Sequence, residues 1–167
     1  PLAPRPLVAP RDDRNQPVRP AKLWCDTSTA EQAEKLNRPL GNTDTLIERT
    51  GNAMVPSYTA PKILWLKEIE PENFAATRTI LLPHDFLNFW LTGERRMEYG
   101  DASGTGLLDI RSRTWCEPLA EFIDKGLLTK FSPLRSSTRA VGLLRSTLRE
   151  KFQLGVILVS AGGGDNM

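Results

Sequence analysis

Gly155 to Met167 reads GVILVSAGGGDNM, and the rest of the chain takes its meaning from this stretch. Val156, Ile157, Leu158 and Val159 form a short apolar run rich in β-branched residues, the pattern of a buried strand. Ser160-Ala161 then leads into Gly162, Gly163 and Gly164, followed by Asp165-Asn166. A buried strand ending in a glycine turn and a carboxylate predicts an α/β fold. The loop would lie outside the carboxyl end of the strand, where such sheets take their ligands. Glycine has no Cβ, so it lets a ligand approach the backbone closely and permits positive φ. On pattern alone two roles stay open for Asp165: N-cap of a helix that would follow, or a carboxylate presented to a ligand.

The composition bounds the alternatives. A chain of 167 residues suggests one domain or part of a larger one, long enough to bury a core. At 40% hydrophobic and 25% charged it has the make-up of a soluble globular protein. A formal net charge of +2 is too small to argue for nucleic acid as a partner. No apolar run approaches the length of a membrane span and no signal peptide is evident, which argues against a membrane partner. Cys25 and Cys116 stand far apart, and His84 is the sole histidine, so neither a zinc cluster nor a disulfide framework is expected. A reducing cytoplasm is the default location. The chain begins with proline and stops two residues after Asp165, which reads as a fragment.

Working outward, residues 1–21 carry six prolines around Arg11-Asp12-Asp13-Arg14 and form poor helix material. Leu7–Ala9 and Gln16–Val18 read as two edge strands about a turn at Asp12-Asp13. Ala21–Asp26 reads as a short strand, after which Thr27 or Ser28 caps a helix through Leu36. A second helix spans Thr43–Thr50 and closes at Gly51. Pro61 suits the first turn of a helix over Lys62–Glu70, with Ile63, Leu66 and Ile69 on one face and Pro71 as its stop. Thr79–Leu82 reads as a buried strand. Pro83-His84-Asp85 opens the strongest helix, whose Phe86, Leu87, Phe89, Trp90 and Leu91 make a broad apolar surface ended by Gly93. Tyr99–Gly106 reads as a loop and Leu107–Ile110 as a strand. Helices over Leu119–Leu127 and Leu143–Phe152 complete an α/β alternation.

Four blocks carry a resemblance. They are AKLWCDT at Ala21–Thr27, SYTAPKILWLKE at Ser57–Glu68, LLPHDFLNFWLTGE with YGDASGTGLLD across Leu81–Asp109, and AGGGDN at Ala161–Asn166. Together, over about seven-eighths of the chain, they resemble the FGGY family of sugar kinases, and within it the branch that acts on the ketopentose D-xylulose. Ile69 departs from the family signature, which usually has a polar residue there.

The resemblance implies part of an actin-like ATPase (ribonuclease H-like) domain, truncated at both ends. Residues 1–21 would be a proline-rich, partly extended segment, and 22–167 the sugar-binding part of the kinase's N-terminal domain. The family's DxGTS-type phosphate loop and second, nucleotide-holding domain are not in this sequence. The implied reaction is ATP-dependent phosphorylation of D-xylulose to D-xylulose 5-phosphate, with ATP and Mg2+ expected of the full-length enzyme and the isolated chain inactive. A kinase for ribulose, fuculose, gluconate or glycerol, or a non-catalytic sugar-binding remnant, is the alternative. A small-molecule sugar is the expected partner, and a homodimer stays open.

Carried over residue by residue, the match makes Asp165 the catalytic base that accepts the hydroxyl proton. Trp24 would offer a ring face to the sugar, although tryptophans are commonly just well buried. Asp26 would bind hydroxyls or cap the helix beside it. Ser57 would line the pocket or pack in its loop, and Asn166 would bond the sugar or face solvent. Lys62 reads as structural, pairing with an acidic neighbour, and His84 as a capping or packing residue. The glycine-rich Asp101–Gly106 stretch lacks the lysine of a phosphate loop, and its polar side chains would turn to the sugar cleft.

Overall fold

The computed structural model describes residues 9–163, so the expectations placed on Leu7, Val8, Asp165 and Asn166 fall outside the described residues. Strand β1 (Ala9–Arg11) pairs antiparallel with β2 (Thr79–Leu81), Arg11 standing opposite Thr79. Asp12 Oδ1 accepts from the Arg14 and Gln16 N–H groups and tightens a turn that brings Arg11 into a single antiparallel bridge with Pro17. The hairpin expected about Asp12-Asp13 is thus reduced to one bridge, since two prolines remove ladder donors.

Among the described residues Ala21–Asp26 forms no strand beyond a single bridge position at Leu23. Trp24-Cys25 form a turn, closed by the Asp26 N–H on the Leu23 carbonyl at 3.1 Å. Helix α1 (Ala30–Leu36) starts at Ala30, and neither Thr27 nor Ser28 caps it. The cap position is Thr29, whose hydroxyl turns away to the Pro56 carbonyl at 2.9 Å. In α2 (Thr43–Thr50) the Asn42 side chain accepts from the Thr45 N–H at 2.8 Å, and Gly51 closes the helix at φ 86°. Helix α3 (Thr59–Ile69) takes Pro61 into its first turn as expected and buries Ile63 and Leu66. Ile69 is 59% exposed, because the helix runs off the core at that end. Pro71 both stops α3 and starts α4 (Pro71–Ala76), a helix its short span concealed.

Strand β2 is buried along its length, as its apolar run predicts. Helix α5 (Pro83–Thr92) opens at Pro83 and ends at Gly93, φ 87°. Its apolar surface faces the other way from the expected one. Asp85 and Asn88 are buried, while Leu87 and Trp90 are about half exposed. After β3 (Met97–Glu98), the expected loop at Tyr99–Gly106 is instead a short helix, α6 (Tyr99–Ser103), because the Glu98 carboxylate accepts from the Asp101 N–H at 3.0 Å and caps it.

Strands β4 (Leu108–Asp109) and β5 (Thr114–Trp115) make an antiparallel pair, followed by α7 (Glu117–Ile123) and a 3-10 turn at Leu127–Lys130, in place of the one continuous helix expected there. Strand β6 (Leu134–Arg135) runs parallel to β3. Strand β7 (Ala140–Leu143) precedes α8 (Ser146–Phe152) and pairs antiparallel with β8 (Leu158–Ser160).

Helices and strands are mixed along the chain, as expected of the α/β class, although four helices in a row separate β1 from β2 and, among the described residues, the strands pair only two by two. The core gathers Leu36, Leu46, Ile63, Leu66, Ile80 and Leu119 from α1, α2, α3, β2 and α7. The run expected to be a buried strand is not. Val156 is 72% exposed and Leu158 65%, because β8 pairs only with β7 and the side of the ribbon that carries these residues stays uncovered among the described residues.

Candidate functional site

Two of the segments singled out by sequence are held together by one buried lysine. Lys62 projects from α3, 2% exposed, and its Nζ donates to the carbonyls of Asp26 (3.2 Å) and Pro56 (2.6 Å). The first carbonyl belongs to the loop of Trp24 and Asp26, the second to the loop of Ser57. Against the expected acidic side chain, Lys62 bonds backbone. Burial brings its pKa down to about 8, with the Asp26 charge pulling it back up. Trp65, three residues on, takes the Lys22 ammonium over its ring at 3.8 Å. Lysine and tryptophan of this helix therefore both support the 22–26 loop.

Trp24 is 65% exposed, so it is not the well-packed tryptophan that base expectation favours, and its ring is open to a ligand. Asp26 accepts from the Ser28 N–H at 2.9 Å and from Lys22 Nζ at 3.1 Å. The Ser28 hydroxyl and N–H, with Lys22 beside them, hold its carboxyl far below the usual carboxylate range. It is an ionised residue that precedes α1, three positions before the cap residue Thr29. Ser57 is half-buried.

The second group lies where β8 runs into the glycine turn. Ala161 is buried, its N–H donating to the Arg139 carbonyl (2.7 Å), while the Gly162 N–H donates to the Ser137 carbonyl (3.0 Å). From the other side Asn88 Nδ2 of α5 donates to the Ala161 carbonyl at 2.8 Å. Gly162 sits at φ 68°, an angle that favours glycine, and a Cβ there would crowd His84 Nε2 at 3.2 Å.

His84 is more than a cap. Its Nδ1 faces Asp101 Oδ2 at 3.5 Å and Asp85 Oδ1 at 3.7 Å, and all three atoms are buried. Asp101 is the chief cause of a raised His84 pKa, against the opposing pull of burial. Burial, with the Asp101 charge adding to it, pushes the Asp85 carboxyl up to about 7, although its Oδ2 accepts the Leu82 N–H at 3.3 Å. Two carboxyls and an imidazole within 4.8 Å of one another are the grouping among the described residues that could take a cation. Sequence reasoning missed Asn88. The signal available was its place four residues after His84, polar among the apolar residues of α5.

Beside this loop opens a cleft of about 370 Å³, with Tyr99, Ser103, Arg113, Ser136 and Ser137 in its wall. Of these, Ser103 comes from the Asp101–Gly106 stretch, whose polar side chains were expected to turn to a sugar cleft. Ser137, which holds Gly162, ties the cleft to the glycine turn. Trp24, Asp26 and Ser57 do not line it.

The chain belongs to the FGGY family of carbohydrate kinases: the family model of their N-terminal domain matches residues 6–167. It is 38% identical over 159 residues to a xylulose kinase of Haemophilus influenzae, covering 93% of this chain and 32% of that protein. It is 40% identical over 158 residues to a xylulose kinase of Lactococcus lactis, covering 93% and 30%. Among solved structures, one described as a xyloylose kinase from Brucella ovis matches at TM-score 0.87 and 34% identity, over 95% of this chain and 32% of that one. A glycerol kinase from Plasmodium falciparum shares the fold at TM-score 0.84 and 24% identity, over 98% and 33%. The architecture is that of the actin-like ATPase domain of these kinases. The chain spans about a third of the length of the curated relatives it matches.

Proposed function

We propose that this chain is the sugar-binding part of an ATP-dependent ketopentose kinase, with D-xylulose as substrate and Asp165 as the base. The observation that carries the proposal is the glycine turn after β8, tied at Ala161 and Gly162 by both β7-side carbonyls and α5, immediately before that carboxylate. The xylulose kinases among its relatives support the choice of sugar.

In the reaction the terminal hydroxyl oxygen of the sugar bonds to the γ-phosphorus of ATP, the bond from that phosphorus to the bridging oxygen breaks, and ADP leaves. Asp165 receives the hydroxyl proton. Trp24 packs a ring face on the carbon side of the sugar, and Asp26, Ser57 and Asn166 take its hydroxyls. The chain spans about a third of the length of its relatives, and no step with MgATP is assigned to its residues. A cytoplasmic site of action fits a kinase that draws on the cell's ATP.

A coupled assay of ADP release tests the reading in the complete kinase. Turnover should be fastest with D-xylulose and slower with ribulose, fuculose, gluconate or glycerol, while this chain alone gives none. Asp165→Asn keeps shape and hydrogen bonding but removes the base, so kcat should fall by roughly two to four orders of magnitude while sugar affinity changes little. An N-cap role would leave the variant active, because asparagine caps as well as aspartate. Near-normal kcat in Asp165→Asn therefore overturns the assignment.

A further inference from the structure

We propose that Asn88 is a positioning residue that sets the direction in which the glycine turn leaves β8, and through it the placement of Asp165. The inference rests on the reading of Asp165 as the base. The Ala161 carbonyl and the Gly162 N–H belong to one peptide plane. Asn88 Nδ2 holds the carbonyl end at 2.8 Å, and the Ser137 carbonyl holds the N–H end at 3.0 Å. Bonds at both ends of one plane fix its rotation.

A fixed plane is needed here because only glycines separate it from the carboxylate. Gly162 already has a positive φ, and Gly163 and Gly164 come next, so no side chain restrains the backbone before Asp165. Release the carbonyl end and the plane turns at low cost, carrying the next residues with it.

The inverted face of α5 supports the same conclusion. A helix with Leu87 and Trp90 available to bury instead turns Asn88 inward, 6% exposed, onto the loop. His84 backs it: His84 Nε2 and Asn88 Nδ2 are 3.2 Å apart, and His84 is anchored in turn by Asp101 of α6 at 3.5 Å. The imidazole also fills the space beside Gly162 into which a turned loop would move. Packing alone does not explain a buried amide aimed at a backbone carbonyl 73 residues away in sequence. A requirement for one loop direction does.

The test uses Asn88→Ala, which removes the donor, and Asn88→Asp, which keeps the shape but presents an acceptor to the Ala161 carbonyl. In the complete kinase both should lower kcat by roughly 10- to 100-fold. KM for sugar and for ATP should stay within about threefold, because the loss is in alignment and not in binding. Hydrogen exchange on this chain gives a second reading: the Gly162 amide should lose at least about tenfold of its protection in both variants, while the amides of α3 keep theirs.

Normal kcat in both variants overturns the inference and leaves Asp165 untouched. A kcat loss that comes with an equal loss of α3 protection or a large rise in KM also overturns it, as a general structural role. If Asp165→Asn proves fully active, the base reading fails by itself, and unchanged exchange at Gly162 then separately disproves the tether.

Discussion

Lys62 is the residue whose titration is most exposed to measurement. Its ammonium is buried between two carbonyls, and its pKa falls from an ordinary 10.5 to about 8. The unfolded chain then binds more protons than the folded one between those values, so stability rises with pH across that window and is lowest below it. The full effect is at most about 3 kcal/mol, at about 1.4 kcal/mol for each tenfold change in proton activity. Urea unfolding of the native chain and of Lys62→Met at pH 7.5 and pH 10 isolates it, since the other titrating groups are common to both. The native chain should gain on the variant as pH rises. Parallel curves would show that the lysine stays as easily charged inside as outside.

At this scale the sequence is informative where side-chain type decides the role. The lysine and tryptophan of α3 stand out in it, but their partners do not, because a lysine can bond a carbonyl as readily as a carboxylate and spacing does not distinguish the two. Trp24 stays between core and ligand face on sequence, and its 65% exposure excludes only the buried alternative.

Among elements, the helices with clear terminators are legible. Thr43–Thr50 with Gly51 and Pro83–Thr92 with Gly93 sit where the sequence places them, since a positive-φ glycine ends a helix by backbone geometry alone. Burial is less legible. Counting apolar residues on α5 suggests that Leu87 packs inward, whereas it is 52% exposed and polar groups take the inner face. Tyr99–Ser103 reads as loop because Gly100 and Ser103 are weak helix formers, and the cap that rescues it is local but comes from Glu98, a residue type outside the usual capping set. The inversion of α5 is measurable. Leu87→Lys should cost no more than about 0.5 kcal/mol in unfolding free energy, whereas Ile80→Ala in β2, fully buried, should cost about 2 to 5 kcal/mol. Equal costs at the two sites would mean that Leu87 is packed after all.

For the molecule as a whole, the family and the mixed α/β class are readable from four sequence blocks, because those blocks are the ones that build loops and helix ends. The exposure of the last strand is not readable from its own residues, since Val156–Val159 look like any buried strand. Leu143, Phe152, Leu154, Val156, Ile157 and Leu158 together leave β7, α8 and β8 with a broad apolar surface. Surfaces of that kind drive association. Sedimentation of this chain should show concentration-dependent self-association that Val156→Lys with Leu158→Lys abolishes. A native chain that stays monomeric at high concentration refutes the expectation.

The pairing of β1 with β2 also sets a schedule for synthesis. Arg11 and Thr79 are partners although roughly seventy residues separate them, so this small ladder closes one of the longer loops in the molecule. On a ribosome adding 5–20 residues per second, β1 emerges and then waits roughly 4 to 14 seconds for its partner to be made. A strand made early is thus seated late. For that interval its open edge is free to pair with any neighbouring nascent chain, and slower translation between codons 12 and 79 lengthens the interval.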